Sequence, residues 1–169
     1  MIFSRKANAY FIPNLPEHWF IGGSAAISAY IHIPIFNDID LFFRNKKEVN
    51  TTLKNYNLLA TAVNPTYKIH DKQVQFINNQ FHMSLCDYFE SVDFTICQIA
   101  IMDGKLYYTE QAQYDIDNLF IRPTNVKTKG KHSISRIKKY MERGFNPAPG
   151  LLTWVVDIDE EGFNASTTY

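Results

Sequence analysis

The chain has 169 residues, of which 46% are hydrophobic, 15% aromatic and 20% charged. That is enough apolar material for one domain with its own core, and it argues against disorder. Its 17 basic and 17 acidic residues cancel, which excludes a protein that coats polyanions by net charge but leaves room for a local basic patch.

The elements follow from the N-terminus. Phe3 to Pro16 is a mixed opening segment whose Pro13-Asn14-Leu15-Pro16 stretch reads as a turn. His18 to Ile21 is a short strand that runs into Gly22-Gly23-Ser24. Ser24 is suited to cap a helix over Ala25 to Ile31, whose small residues allow close packing on a sheet. Pro34 stops that helix, and Ile35 to Phe43 contains a second strand. Lys46 to Tyr56 places Val49 and Leu53 at helical spacing. Leu58 to Val63, Tyr67 to Ile69 and Gln73 to Ile77 read as strand material, with a turn at Asn64-Pro65. Met83 to Glu90 is a helical turn or loop.

Val92 to Met102 is the longest β-rich run, and Asp103-Gly104 turns it into Leu106 to Thr109. Glu110 to Leu119 reads as a helix and Val126 to Lys131 as a basic connector. Ser133 is placed to cap a helix through Arg143, with Gly144 to end it. Trp154 to Ile158 is a last strand or a segment that packs on a partner. The expected fold is α+β, a mixed, largely antiparallel sheet with flanking helices. Residues 1–125 would form the core, and residues 126–169 a C-terminal helix and tail packed on it.

Cys86 and Cys97 are the only cysteines and form no Cys-x-x-Cys pattern, which argues against a disulfide framework or a zinc site. No charged-then-apolar leader opens the chain, and no apolar run approaches the roughly 20 residues that span a bilayer. A cytoplasmic protein without membrane contact is expected.

Chemistry concentrates at two places. In Asn37-Asp38-Ile39-Asp40-Leu41, the period of two puts Asp38 and Asp40 on one strand face while Ile39 and Leu41 point into the core. Adjacent carboxylates repel each other, and a hard divalent cation relieves the repulsion. Gly22-Gly23-Ser24 offers backbone amides at a helix start, where phosphate is favoured. A phosphate cradle beside a carboxylate pair is suited to a nucleoside triphosphate.

This arrangement, a Gly-Gly-Ser turn with thirteen residues between it and Asp-Ile-Asp in an apolar strand, resembles the signature of the DNA polymerase β-like nucleotidyltransferase superfamily. The resemblance covers about the first hundred residues. It implies catalytic and metal-binding roles for Asp38, Asp40 and a third carboxylate from a later strand. Asp93 is the candidate, set to bind one metal and help deprotonate the attacking hydroxyl; Glu90 is its substitute and Asp87 a weaker one. It also implies Mg²⁺ (or Mn²⁺) as cofactor, two ions bridging the triphosphate, and nucleotide contacts at Gly22, Gly23 and Ser24. Some branches of that superfamily carry an arginine shortly after the turn; here Ala25-Ala26-Ile27-Ser28 follows.

Basic residues gather later in the chain, at Lys127, Lys129, Lys131, His132, Arg136, Lys138, Lys139 and Arg143. Arg136 and Lys139, three apart, share a helix face and are candidate nucleotide-binding residues; a solvated helix face explains such a cluster equally well. The expected activity is metal-dependent transfer of a nucleoside monophosphate from an NTP to an acceptor hydroxyl on RNA, protein or a small molecule, with pyrophosphate release. The alternatives are a non-catalytic module that keeps the nucleotide pocket (inhibitor, antitoxin or assembly partner), and a phosphohydrolase or nuclease built on the same carboxylates.

Overall fold

In the computed structural model, which describes residues 1–7, 12, 14–58, 63–124 and 131–155, the apolar runs assemble into a seven-stranded sheet. Its strands are β1 (Ile2–Lys6), β2 (Phe20–Gly22), β3 (Asp38–Phe42), β4 (Thr66–Ile69), β5 (Lys72–Phe76), β6 (Ile99–Met102) and β7 (Lys105–Thr109). The order is β1-β7-β6-β2-β3-β5-β4, and every neighbouring pair is antiparallel except β3 and β5. The expected α+β class with a largely antiparallel mixed sheet is what the structure shows. Two further strands, β8 (Phe120–Ile121) and β9 (Asn146–Pro147), pair in parallel outside this sheet.

The parallel pair follows from the connection between its strands. After β3 the chain runs through helix α2 (Lys46–Asn55) to the sheet edge at β4, and returns as β5 through His70 and Asp71, both at positive φ. The tight reversal flips the direction, so β5 runs alongside β3 in the same sense. Helix α2 is set by a reciprocal cap: Glu48 N–H donates to Asn45 Oδ1, and Glu48 Oε2 accepts from the Arg44 amide.

Alternation sorts the side chains onto two layers. Ile21, Ile39, Leu41, Val74 and Phe76 join the main core. Helices α1 (Gly23–Ile31), α4 (Glu110–Asp117) and α5 (Lys131–Glu142) contribute to this layer through residues such as Ile27, Ile116 and Ile137. Phe20, Phe42, Ile77 and Ala100 form a smaller cluster with Tyr88 and Phe89 of helix α3 (Leu85–Ser91). Ala25, Ala26 and Ala29 of α1 are fully buried, as their small size allows.

Several expectations are corrected. The opening segment contains strand β1, which pairs with β7 and forms one margin of the sheet. Helix α1 begins at Gly23 with Gly22 as its N-cap, so Ser24 lies inside the helix and caps nothing. Ser133 also lies inside its helix, because α5 starts at Lys131. Met83 to Glu90 gives a true helix, α3, capped by Ser84, which accepts from the Asp87 amide. Residues 151–155 are helical rather than extended, and 156–158 lie outside the described residues, as do 59–62 of the expected strand at 58–63 and 126–130 of the expected connector at 126–131.

The largest correction concerns Val92 to Met102, which is not one strand. Phe94 makes an isolated bridge to Pro123, Thr95–Cys97 form a 3₁₀ turn, and only Ile99–Met102 enters the sheet. Buried polar partners outweigh β propensity here. Thr95 N–H donates to the Arg122 carbonyl, and Thr95 Oγ1 donates to Asp115, whose side chain is wholly buried. Asp115 also accepts from Gln111 Nε2 at 3.1 Å and from Arg122 Nε at 3.1 Å.

Removing that carboxylate leaves the Arg122 guanidinium and the Thr95 hydroxyl without their shared acceptor. Asp115→Ala is expected to destabilise the fold by about 3 kcal/mol, a loss typical of breaking a buried pair on one side. Urea unfolding of the variant against the parent measures it, and a change under about 0.5 kcal/mol, as for an ordinary surface substitution, contradicts it.

Candidate active site

One cleft of about 470 Å³ gathers most of the chemistry-bearing residues. Strand β3 supplies Asp38 and Asp40, which share a face with Phe42. Asp38 is exposed and Asp40 half-buried, and both line the cleft. Antiparallel pairing sets Gly22 level with Asp40, so the turn after β2 sits beside the carboxylates.

That turn needs both glycines, for different reasons. Gly23 has φ +66, a left-handed conformation that a side chain disfavours, and a Cβ there would stand 3.2 Å from Asp40 Oδ2. Gly22 is buried, and a Cβ there would come within 2.9 Å of Phe42 Cε2 and of Tyr88 Cζ. Tyr88, buried among Phe20, Phe42 and Phe89, rests on the turn, with the Gly23 backbone amide at its phenol oxygen. Burial holds the Tyr88 phenol well above its ordinary range, and the Asp40 charge adds to this. Ser24, 8% exposed, lines the cleft, and its hydroxyl has no hydrogen-bond partner among the described residues.

Helix α5 forms the opposite wall. Arg136 Nη1 meets Asp93 Oδ1 at 2.6 Å, and Ser133 Oγ donates to Asp93 Oδ2 at 3.0 Å. Arg136 Nη2 lies 3.2 Å from Cys97 Sγ, and the guanidinium stacks over Phe94 at 5.7 Å. Burial opposes the Arg136 charge, but Cys97, Tyr140 and Asp93 together outweigh it and hold the guanidinium above its ordinary range. Lys139 lines the same cleft. Burial and then Arg143 lower its ammonium below the usual lysine range, while Asp38 and Asp40 pull the other way.

All eight residues singled out in the sequence therefore lie in or at one place: Gly23, Ser24, Asp38, Asp40, Asp93, Arg136 and Lys139 line the cleft, and Gly22 underlies it. The grouping of the acids differs from the expectation. Asp93 stands between α3 and the 3₁₀ turn, not on a strand beside β3, and both its oxygens are engaged by α5. Among the described residues, no group of three His, Cys, Asp or Glu side chains is placed to hold a metal ion. The substitutes Glu90 and Asp87 are exposed on α3 and do not line the cleft.

On the side away from β2, β3 pairs with β5, whose register sets Gln73 against Asp38 and Gln75 against Asp40. Gln75 lines the cleft together with Asn64, Asn79 and Gln80. The alternating Gln73-Val74-Gln75-Phe76 pattern marks the two glutamines as sharing a face, but not as facing the carboxylates. Tyr88 had no sequence signal, since its role comes only from packing on Gly22.

Asp38 and Asp40 fit a divalent cation. Their oxygens are of the type such ions prefer, and neither carboxylate makes a hydrogen bond or ion pair with another described residue. Burial, then the Asp38 charge, raises the Asp40 carboxyl from 3.8 to about 6, against the opposing pull of Lys139 and Arg136. An ionised Asp40 is thus costly until a cation joins it.

No protein-family model and no curated relative matches the sequence. Solved structures do. The Thermotoga maritima CCA-adding enzyme complexed with tRNA matches with a TM-score of 0.62 at 17% identity, over 85% of this chain and 38% of that one. A tRNA-processing enzyme with CTP gives 0.62 at 17% identity, over 85% and 43%. A tRNA nucleotidyltransferase complexed with a primer tRNA and an incoming ATP analog gives 0.59 at 18% identity, over 85% and 47%. The chain spans less than half the length of each. At these identities the likeness establishes a shared nucleotidyltransferase fold.

Two outcomes follow from the geometry. Gly22→Ala is expected to cost about 1–3 kcal/mol through overpacking against Tyr88, and Tyr88→Phe in the same chain to recover part of it. Urea unfolding of the single and double variants tests this, and strictly additive losses contradict it. The second concerns pH. The folded pKa of Asp40 lies above its unfolded value, so between about 4 and 6 the folded state holds a proton that the unfolded state lacks. Without cation, this group's contribution to stability therefore rises as pH falls from 7 towards 4. Binding of Mg²⁺ needs the carboxylate, so the gain in melting temperature from Mg²⁺ should be full at pH 8, fade through pH 6 and vanish in Asp40→Asn. A gain independent of pH, or one that survives in the variant, contradicts it.

Proposed function

We propose that this chain is a metal-dependent nucleotidyltransferase that moves a nucleoside monophosphate from an NTP to an acceptor hydroxyl. One observation carries the reading: on a nucleotidyltransferase fold, Asp38 and Asp40 share a single cleft with the Gly23-Ser24 helix start and the Lys139 ammonium. Carboxylates for a cation and donors for phosphate converge as the reaction needs.

Asp38 and Asp40 would hold a divalent cation, Mg²⁺ or Mn²⁺, which when bound supplies Lewis-acid stabilisation of charge on the phosphoryl oxygens. The Ser24 hydroxyl and the amides at the start of α1 orient the phosphates. Lys139 and the Asp93-anchored Arg136 balance their charge from the α5 wall. The acceptor oxygen attacks the α-phosphorus, and the bond from that phosphorus to the bridging oxygen breaks, its electron pair leaving with pyrophosphate. The proton of the hydroxyl leaves to solvent at the open side of the cleft beside exposed Asp38, since Asp38 and Asp40 stay ionised to hold the cation. Positioning accounts for most of the rate. RNA is the first acceptor class to test, since the structures of this fold include complexes with tRNA; protein and small molecules remain acceptor classes for the same assay.

The engagement of Asp93 by α5 favours a second reading, a binding module that keeps the nucleotide pocket without transferring. The deciding experiment incubates the chain with each α-³²P-labelled NTP, Mg²⁺ or Mn²⁺, and total RNA, protein or small-molecule extract. Label is expected in one pool, falling about 100-fold or more with Asp40→Asn. No incorporation by the parent with any NTP, while NTP raises its melting temperature, overturns transfer in favour of the binding module.

A further inference from the structure

We infer that this cleft works with a single protein-held divalent cation, on Asp38 and Asp40, and that the Lys139 ammonium takes the place of a second. The inference deepens the nucleotidyltransferase reading and rests on it for its nucleotide arm.

Without nucleotide, a second protein-held cation needs anionic ligands beyond one carboxylate pair, because two dications against two carboxylates leave a net charge of +2 to be balanced. The structure offers two positions from which a third carboxylate could come, and neither supplies one. The first is β5, the strand hydrogen-bonded to β3 on its outer side. Its register brings position 75 level with Asp40 and position 73 level with Asp38, with Val74 and Phe76 turned into the opposite core. Both positions carry glutamine, a neutral amide, and Gln75 lines the cleft while donating through Nε2 to the Asn64 carbonyl.

The second position is Asp93. One of its oxygens is spent on Arg136 and the other on Ser133, so it docks α5 against the core. Pulling it away to a metal would leave the Arg136 guanidinium, wedged against Cys97 and Phe94, without its counter-charge. Asp93 is a positioning residue. Its work is to present the next turn of α5, and that turn carries Lys139.

Lys139 lies on the same helix face as Arg136, lines the cleft and interacts electrostatically with both Asp38 and Asp40. A fixed ammonium there repels a second dication and supplies positive charge to phosphate oxygens directly. Ser24 marks where those oxygens go: a hydroxyl on a nearly buried residue, unpartnered among the described residues, on the same cleft wall as Asp40. Against a triphosphate, the Lys139 ammonium then supplies positive charge where a second ion would stand, while Arg136, its charge met by Asp93, keeps the helix in place.

The test counts Mn²⁺ per full-length chain by electron paramagnetic resonance, without nucleotide and with a saturating α,β-methylene NTP analogue. One ion is expected in both states, none in Asp38→Ala/Asp40→Ala, and two in Gln75→Glu with the analogue present. Asp93→Asn, read on the fraction that circular dichroism shows folded, is expected to keep its ion. Lys139→Met is expected to weaken analogue binding tenfold or more. Two ions in the parent, loss of the ion in folded Asp93→Asn, or unchanged analogue affinity in Lys139→Met overturns the inference. Failure of the parent to bind any NTP analogue sinks the nucleotidyltransferase reading instead, and the nucleotide-free count still decides between one protein-held ion and two.

Discussion

The Asp93–Arg136 ion pair is the contact on which the cleft depends. One wall belongs to the sheet and arises from local pairing of β2 with β3. The other belongs to α5, whose Arg136 lies 43 residues after Asp93 and ties the helix to the core through this pair. Apolar packing of Ile137 and Tyr140 gives α5 its affinity for the core. Packing is tolerant of small rotations, however, whereas a 2.6 Å charge-assisted bond with Ser133 as second donor is not. The pair therefore fixes the helix rotation, and with it the direction in which Lys139 points.

A second constraint acts from beneath. Tyr88 fills the space that side chains at position 22 would need, and its ring packs tilted against those of Phe20 and Phe42. The glycine turn is thus shaped from two sides, by Asp40 next to Gly23 and by Tyr88 next to Gly22. Its backbone has little freedom to relax, which suits a phosphate-facing turn whose amides must be in place before the ligand arrives.

The sequence was readable where period and motif agree. Asp38-Ile39-Asp40-Leu41 alternates cleanly, and the structure buries Ile39 and Leu41 completely while turning both aspartates to the cleft. The run Val92 to Met102 misled, because β-branched and aromatic residues there serve a 3₁₀ turn held by Asp115 and Arg122, partners about twenty to thirty residues away. Strand β1 was missed because Ile2-Phe3-Ser4-Arg5-Lys6 is short and half polar, as an outer strand can be. Gln75 was seen as a strand residue but not as the neighbour of Asp40, since a parallel partner cannot be read from local pattern. Ser24 and Ser133 both read as caps from residue type alone. In the structure one serves the cleft and the other the Asp93 clamp.

Among the described residues, the order β1-β7-β6-β2-β3-β5-β4 leaves β1 and β4 with one unpaired side each. An open edge invites another chain to add a strand, and these two edges are poorly suited to accept one. β1 carries Arg5, held inward over the Tyr30 ring at 4.3 Å and bonded to the Tyr30 carbonyl, followed by exposed Lys6. β4 is only four residues long and places exposed Lys68 beside the His70-Asp71 reversal. A strand added at either margin would have to accommodate Arg5 and Lys6 at one, or the Lys68–Asp71 ion pair at 3.6 Å at the other. Among the described residues, the sheet's margins thus discourage self-association through its edges, so the polar cleft is exposed beside edges poorly suited to template a fibre.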